Sequence, residues 1–159
     1  MQVEFNSHEQ QDEFVFNLFR GKQNGFFLDI SCGNPIIGNN TYALEKFRNW
    51  NGIGFDIYDV DTAYKWNTVR KAQFVQMDVT TDKLTEFLKT IEQPIDYISL
   101  DVDNNGTSYA LPTLERILNS GKRFKAMTLE HEHYQHGDSV RDPSRKLLEA
   151  AGYVRLFSD

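Results

Sequence analysis

Short apolar runs alternate with amphipathic stretches along the whole chain. The runs are five to eight residues long and rich in β-branched and aromatic residues, which is typical of strands. Several runs are apolar on both faces, as in a sheet that is covered on both sides. Six segments share these features: residues 26–30, 53–57, 74–79, 95–102, 124–131 and 153–157.

The amphipathic stretches between these runs predict helices. The first predicted helix has Ser7 as its N-cap and an apolar face that includes Phe14 and Leu18. The predicted helices cover residues 7–20, 41–50, 61–71, 81–91, 109–119 and 142–151. Alternating strands and helices predict an α/β fold, a doubly wound and mostly parallel Rossmann-like sheet of about six strands with helices on both faces. We expect residues 1–159 to form a single domain that begins with the helix over about 7–20.

Composition and charge exclude several classes of protein. The formal net charge is −6 and the basic residues are scattered, which argues against a nucleic-acid partner. The single cysteine, Cys32, excludes an internal disulfide. The chain has no apolar run long enough for a membrane span and a polar, acidic start, so we expect a cytoplasmic protein that does not bind membranes.

Ligands of doubly wound sheets bind beyond the carboxyl ends of the strands, so the residues that follow each run are the candidates for chemistry. The first run leads from Asp29 into a loop that contains Gly33 and Gly38. Ser31 and Ile36 stand where the dinucleotide fingerprint would need glycines, so a pyrophosphate cradle is not indicated. An acidic loop of this kind suits a positively charged ligand such as S-adenosylmethionine. The alternative is an ordinary turn between a strand and a helix.

Acidic residues also end the second and third runs. Asp56 lies at the second tip, where a carboxylate can accept hydrogen bonds from both hydroxyls of a ribose. Asp78 lies at the third tip and could accept a hydrogen bond from an adenine amine. The alternative for Asp78 is a local cap of the turn at Thr80 and Thr81.

The fourth and fifth tips carry the candidate catalytic groups. Asp101 and Asp103 should share one face of the fourth strand, and Glu130 and His131 end the fifth. His131 is the natural general base because histidine titrates near neutral pH, with Asp101 as its orienter or as a base itself and Glu130 beside them. We expect His133 and His136, which lie in the following loop, to be solvated.

A metal site is the alternative at the same tips. Asp101, Asp103, Glu130 and His131 offer the hard oxygen and nitrogen ligands that suit magnesium or manganese. Such an ion would acidify a bound hydroxyl group.

Several motifs together resemble the FkbM-type methyltransferases, over almost the whole chain. They lie at residues 7–15 (SHEQQDEFV), 24–30 (NGFFLDI), 39–46 (NNTYALEK), 50–56 (WNGIGFD) and 95–103 (IDYISLDVD). The resemblance implies an O-methyltransferase that uses S-adenosylmethionine to methylate a small molecule or a sugar. By position it places four residues in the cofactor loop, Asp56 at the ribose and Asp78 near the adenine. The four loop residues are Asp29, Ser31, Gly33 and Asn40.

Three features depart from this family. Ser31 replaces a usual glycine, Asp56 replaces a common glutamate, and the seventh, antiparallel strand of such sheets has no counterpart after residue 157. We therefore expect either a homodimer or a sheet edge covered by the N-terminal helix. A non-catalytic Rossmann-like binding module is the alternative function. A nicotinamide oxidoreductase is a third reading, but the triple-glycine turn that it needs is missing.

Overall fold

The computed structural model describes residues 3–57 and 60–157, with side chains from residue 65 onward in the second range. Its strands are β1 (Phe26–Ile30), β2 (Asn51–Asp56), β3 (Gln73–Gln76), β4 (Ile95–Leu100), β5 (Asp103–Asn104), β6 (Thr107–Ser108) and β7 (Phe124–Leu129). Its helices are α1 (Gln11–Leu18), α2 (Tyr42–Arg48), α3 (Val60–Val69), α4 (Asp82–Lys89), α5 (Ala110–Asn119), α6 (His133–His136) and α7 (Asp138–Ala150).

Five of the strands form a parallel sheet in the order β3-β2-β1-β4-β7. The chain moves outward from β1 to β3 on one side and then returns to place β4 on the other side of β1. The topological switch point therefore lies between β1 and β4, where ligands of such sheets bind beyond the carboxyl ends. The predicted doubly wound, mostly parallel Rossmann-like fold is confirmed.

Helices cover both faces of this sheet. Side chains alternate between the two faces along each strand, so apolar residues on each face need a helical layer to bury them. One face packs against α4, α5 and α7 and buries Leu28, Ile98 and Leu100. The other face packs against α1, α2 and α3 and buries Phe27, Trp66 and their neighbours. Burial on both sides explains why β1 and β4 consist almost entirely of buried residues.

A glycine in β2 allows the largest side chain of α3 to reach the sheet. A Cβ atom at Gly54 would lie 2.7 Å from the ring of Trp66, which is fully buried. The indole Nε1 donates a hydrogen bond of 2.7 Å to the carbonyl of Ala72, at the start of the next strand. This contact fixes the end of α3, and with it the position of Arg70, against the sheet.

The predicted strand over residues 153–157 is wrong. Gly152 (φ +84°) turns the chain after α7, and the Tyr153 ring stacks on Phe124 with the ring centroids 4.3 Å apart. Phe157 lies across Phe14 at a centroid distance of 5.0 Å but remains exposed, as do Val154 and Leu156. The segment is held by its aromatic rings and not by backbone pairing, so β7 is the last strand of the described sheet.

The N-terminal helix is shorter than the predicted range of 7–20. It begins at Gln11, and its N-cap, Gln10, makes no side-chain cap hydrogen bond. Ser7 is not at the N-cap position, but its hydroxyl donates to the fully buried carboxylate of Asp12 (2.5 Å) and accepts the Asp12 backbone amide of the first turn (3.3 Å). No helix among the described residues is both long and apolar enough to cross a membrane.

Candidate functional site

The loop that follows β1, residues 31–41, lies at the switch point and is called the β1 loop here. Ser31 and Gly33 both adopt left-handed backbone conformations, with φ of +65° and +52°. The Gly33 amide donates a hydrogen bond of 2.9 Å to the carboxylate of Asp56, so the first two strand tips meet directly. Nothing lies within 4 Å of the position that a Cβ atom of Gly33 would occupy. The loop therefore presents open space beside Asp56.

Asp29 organises this loop from within the protein. Its carboxylate is 3% exposed and accepts hydrogen bonds from the Asn39 amide (2.9 Å) and the Thr41 hydroxyl (2.8 Å). Burial raises the pKa of Asp29 to about 6, although Arg70 and the two donors oppose this rise. Asp29 is thus committed to the β1 loop and is not open to a ligand in this arrangement.

Arg70 completes the network around Asp29, and sequence reasoning missed it. Its side chain is fully buried and donates to the Glu45 carboxylate (2.9 Å), to the Asn39 amide oxygen (3.0 Å) and to the Thr41 hydroxyl (2.8 Å). No local pattern distinguishes this arginine from a solvated residue at a helix end, because its partners lie 25 or more positions away along the chain.

Asn40 connects the β1 loop to the other side of the switch point. Its amide nitrogen donates a hydrogen bond of 2.9 Å to the hydroxyl of Ser99 in β4. Its amide oxygen is buried and accepts no hydrogen bond from the described residues. An orphaned acceptor of this kind, in the same loop as Gly33, fits a ligand that carries an amino group.

Asp78 lies at the tip beyond β3 and is exposed. It accepts hydrogen bonds from the backbone amide (2.9 Å) and the hydroxyl (2.6 Å) of Thr80, and these bonds hold the pKa of Asp78 below its usual value. This is the local cap that the sequence offered as an alternative. The predicted contact with an adenine stays a prediction.

The carboxyl groups of Asp101 and Glu130 meet at the tips of β4 and β7. These two residues are called the acid pair here. The strand register pairs Leu100 with Leu129, and the Glu130 amide donates a hydrogen bond of 2.9 Å to the Leu100 carbonyl. The two side chains are hydrogen bonded to one another. Burial, followed by the charge of Glu130, raises the pKa of Asp101 to about 7. Burial also raises the pKa of Glu130.

Asp103 does not share a strand face with Asp101. β4 ends at Leu100, and Asp103 begins a tight hairpin in which β5 pairs with β6. Asn105 and Gly106 at its turn both have positive φ, as two-residue hairpin turns require. Asp103 is exposed on this hairpin, yet its charge still contributes to the raised pKa of both members of the acid pair.

The loop after β7 brings a further carboxylate that sequence reasoning missed. Glu132 is 8% exposed and accepts hydrogen bonds from Gln135 (2.9 Å) and from the ring of His136 (3.2 Å). His136 is therefore partly buried, contrary to the predicted solvated loop, whereas His133 is exposed and bonded to Asp138. His131 is half-buried, with its ring centroid 6.3 Å from that of His133.

The structure does not support the predicted magnesium or manganese site. Asp101, Asp103, Glu130 and His131 were its expected ligands. Within residues 3–57 and 60–157, no group of three or more histidine, cysteine, aspartate or glutamate side chains is arranged to hold a metal ion. The physical reason is that Asp103 leaves the strand on its own hairpin while the acid pair bonds internally.

A segment before α1, residues 6–10, lies across this edge of the sheet and is called the N-terminal segment here. Ser7 pairs with Gly38 as a parallel β-bridge, and the Gly38 amide donates a hydrogen bond of 2.8 Å to the Asn6 carbonyl. A Cβ atom at Gly38 would lie 2.7 Å from the His8 ring. The charge of Glu9 contributes to the raised pKa of Glu130. The segment thus runs from the β1 loop towards the tip of β7.

Two cavities lie at the opposite edge of the sheet. The larger has a volume of about 320 Å³ and is lined by residues around the starts of β1 and β2, among them Gly25, Asn51 and Lys71. The smaller, of about 280 Å³, is lined by Ile53, Gln73 and the segment before β4. Neither cavity reaches the acid pair or the β1 loop.

Comparison with known proteins gives a likeness of fold. No protein-family model and no curated protein matches the chain, so the resemblance to FkbM-type methyltransferases stays a prediction. A candidate rRNA methylase from Clostridium thermocellum is 20% identical, with a TM-score of 0.55 over 98% of this chain and 84% of its own.

Two further solved structures are more distant. A candidate S-adenosyl-L-methionine-dependent methyltransferase from Methanococcus maripaludis is 17% identical, with a TM-score of 0.45 over 89% of this chain and 62% of its own. Quinone oxidoreductase from Escherichia coli, in complex with NADPH, is 16% identical, with a TM-score of 0.45 over 99% of this chain and 55% of its own. The first comparison and the sheet order together show that the chain has an α/β Rossmann-like fold, which it shares with the candidate rRNA methylase.

Proposed function

We propose that this protein is an S-adenosylmethionine-dependent methyltransferase that methylates a hydroxyl group of a small, uncharged molecule such as a sugar. The observation that carries the proposal is the acid pair at the carboxyl ends of β4 and β7, in which the pKa of Asp101 is raised to about 7. A carboxyl group with such a pKa is suited to accept a proton near neutral pH. O-methylation needs a proton acceptor because the attacking hydroxyl must lose its proton.

The β1 loop and its neighbours have the features that the cofactor needs. The orphaned amide oxygen of Asn40 would accept a hydrogen bond from the amino group of the cofactor's methionine part. Asp56, which accepts the Gly33 amide at the tip of β2, would bind the ribose hydroxyls. The open space at Gly33 would admit the ligand to the backbone. When bound, the cofactor supplies an electrophilic methyl group on a sulfonium centre.

The residues of β4 and β7 would handle the acceptor. A hydroxyl placed beside the acid pair would give up its proton to the ionised member, Asp101 or Glu130, as its oxygen forms the new bond to the methyl carbon. The bond from that carbon to sulfur would break at the same time, with its electron pair left on the sulfur of S-adenosylhomocysteine. His131 follows Glu130 directly in the chain and would assist in orienting the acceptor or in carrying the proton onward. Each role needs the reacting atoms to lie about 3 Å apart and well aligned. The ends of two neighbouring strands are suited to hold side chains in such an arrangement.

The charge around the acid pair supports an acceptor without phosphate groups. Asp103, Glu130 and Glu132 all act to raise the pKa of Asp101, so the field at this edge is negative. An RNA acceptor would bring its phosphate backbone against these carboxylates, whereas RNA-binding surfaces are rich in lysine and arginine. The electrostatics therefore favour a neutral acceptor over RNA, the substrate class of the candidate rRNA methylase that shares this fold.

A methyl-transfer screen tests the proposal. The protein is incubated with methyl-deuterated S-adenosylmethionine and a panel of neutral sugars and other hydroxylated compounds, with unmethylated RNA as a further arm. We expect a deuterated methyl group on a hydroxyl of one small-molecule class. Transfer to RNA alone would contradict the choice of acceptor, and no transfer to any acceptor would contradict the enzymatic function.

A non-catalytic binding module is the second candidate, and one observation favours it. Asp56 is 2% exposed and engages Gly33 within the protein, so the ribose position is partly filled by the protein itself. Such a module would bind S-adenosylhomocysteine as tightly as S-adenosylmethionine and would transfer no methyl group in the screen.

A further inference from the structure

Arg70 follows α3 directly, and its side chain is 0% exposed. Its Nε donates to Glu45 (2.9 Å). Its two terminal nitrogens donate to the Pro35 carbonyl (2.9 Å), the Asn39 amide oxygen (3.0 Å) and the Thr41 hydroxyl (2.8 Å). Three of these four acceptors belong to the β1 loop, and only one is a carboxylate.

The ion pair with Glu45 does not by itself explain why Arg70 is buried. A buried ion pair often contributes no more stability than apolar residues of the same volume, because desolvation offsets the attraction. The planar guanidinium instead matches several acceptors in fixed directions, which a lysine ammonium cannot do. The packing agrees with this reading, since the guanidinium lies 4.3 Å from the centroid of the Trp66 ring, which holds its plane.

The bonds of Arg70 lead directly to the residues that would face a cofactor. Asn39 accepts from Arg70 with its amide oxygen and donates from its amide nitrogen to Asp29 (2.9 Å) and to the Cys32 carbonyl (3.1 Å). Thr41 accepts from Arg70 and donates to Asp29 (2.8 Å). Asn40 stands between these two residues in the chain, so its side-chain direction depends on how both are held.

We infer that Arg70 is a positioning residue for the cofactor half of the site, because its guanidinium fixes Pro35, Asn39 and Thr41 and thereby aims Asn40 and Gly33 at the ligand. This inference rests on the proposed function for the identity of the ligand. Its structural part, the control of the β1 loop by Arg70, does not.

Asp29 gives a readout that is independent of any ligand. The groups that act on its ionisation are the Arg70 charge, the Thr41 and Asn39 donors and the more distant carboxylate of Asp101. Replacing Arg70 with lysine keeps the positive charge but loses the planar set of hydrogen bonds to Asn39 and Thr41, so both donors to the Asp29 carboxylate loosen. The Asp29 carboxyl should then titrate at a higher pH than its native value of about 6.

The experiment compares Arg70→Lys with the matched control Arg116→Lys. Arg116 is a partly buried arginine on α5 whose guanidinium bonds to Pro112 and pairs with Asp82, away from the β1 loop. The measurements are the S-adenosylhomocysteine affinity by calorimetry, the Asp29 carboxyl titration by ¹³C NMR and the free energy of unfolding. Glu45→Gln, which removes the charge that anchors Arg70 but keeps the shape, serves as a second variant if Arg70→Lys does not fold.

We expect Arg70→Lys to weaken S-adenosylhomocysteine binding by about tenfold or more and to raise the Asp29 titration midpoint, with Arg116→Lys within about twofold of the native affinity. A loss of stability with unchanged affinity and an unchanged Asp29 titration would overturn the inference and leave a purely structural arginine. If the native protein does not bind S-adenosylhomocysteine, the proposed function fails. The Asp29 titration then decides alone whether Arg70 controls the loop.

Discussion

Each half of the carboxyl edge holds an aspartate, buried at Asp29 and half-buried at Asp101, but the two are surrounded by opposite chemistry. Asp29 at the tip of β1 accepts hydrogen bonds from Asn39 and Thr41 and has the Arg70 charge nearby. Asp101 beyond β4 is hydrogen bonded to another carboxyl group, Glu130, and has further acids around it. Burial raises the pKa of both aspartates, to about 6 for Asp29 and about 7 for Asp101.

This difference separates a group that holds structure from a group that can exchange protons. The donors around Asp29 stabilise its ionised form, and the resulting hydrogen bonds hold the β1 loop in place. In the acid pair the only such donor is the other carboxyl group, since Asp101 donates to Glu130, and the two members cannot both ionise without repelling one another. A proton shared between two carboxyl groups is a feature of general acid–base sites.

The largest expected effect is on turnover when the acid pair is broken. Glu130→Gln keeps the size of the side chain but removes a carboxylate, so we expect the rate of methyl transfer to fall by about 10²–10⁴. The reaction is followed with the acceptor identified by the methyl-transfer screen. The exposed glutamate of α4, Glu86→Gln, is the control and should leave the rate unchanged. A native rate in Glu130→Gln would remove the pair from the mechanism.

The pH profile of the same reaction sharpens the assignment. A base must be unprotonated to accept a proton, so kcat/KM should rise with pH and level off above about 7, where Asp101 titrates. Asp101→Asn removes the group that titrates near 7, so any remaining rise should belong to Glu130, which ionises first, and should lie at lower pH. A profile that is flat between pH 5 and 8, with or without the substitution, would contradict the role of the pair.

Stability should depend on pH in the direction set by a raised pKa. The folded protein holds a proton on Asp101 up to a pH near 7, whereas the unfolded chain loses it near 3.8. Asp101 therefore costs stability increasingly as the pH rises through this window. Relative to the native protein, Asp101→Asn should gain about 1–2 kcal/mol of unfolding free energy between pH 4 and pH 8. Urea unfolding at the two pH values measures this gain, and a constant difference would refute it.

Gly38 tests the contact between the N-terminal segment and the β1 loop, with Gly33 as a matched control. Both have positive φ, so alanine at either position should cost about 1–2 kcal/mol of backbone strain. Only at Gly38 would the new Cβ meet a neighbour, the His8 ring at 2.7 Å, whereas Gly33 faces open space. We expect hydrogen exchange at residues 6–8 to rise in Gly38→Ala and to stay native in Gly33→Ala. Equal exchange in both variants would mean that the contact does not hold the segment.

The fold could be predicted from the sequence because the apolar runs are long and buried on both faces. β1 and β4 were recognisable for this reason, and so were the acids that follow the strands. The run at 153–157 has the same composition but packs through Tyr153 and Phe157, since its neighbours in space decide whether the backbone pairs.

The partners of the site residues could not be predicted in the same way. Arg70 and Glu132 are buried by contacts that only the folded chain creates. Asp103 was assigned to the strand of Asp101, but the turn at Asn105 and Gly106 takes it onto a hairpin. Sequence reasoning thus found the tips that carry chemistry and missed which side chains meet there.

A calorimetric titration with S-adenosylhomocysteine tests the central contrast between the two halves of the edge most directly. It compares the native protein with Asp56→Ala, on the cofactor side, and Glu130→Gln, on the acceptor side. The account predicts saturable binding to the native protein, a loss of at least about 1.5 kcal/mol of binding free energy in Asp56→Ala and native affinity in Glu130→Gln. Absence of binding to the native protein, or an equal loss in both variants, would contradict it.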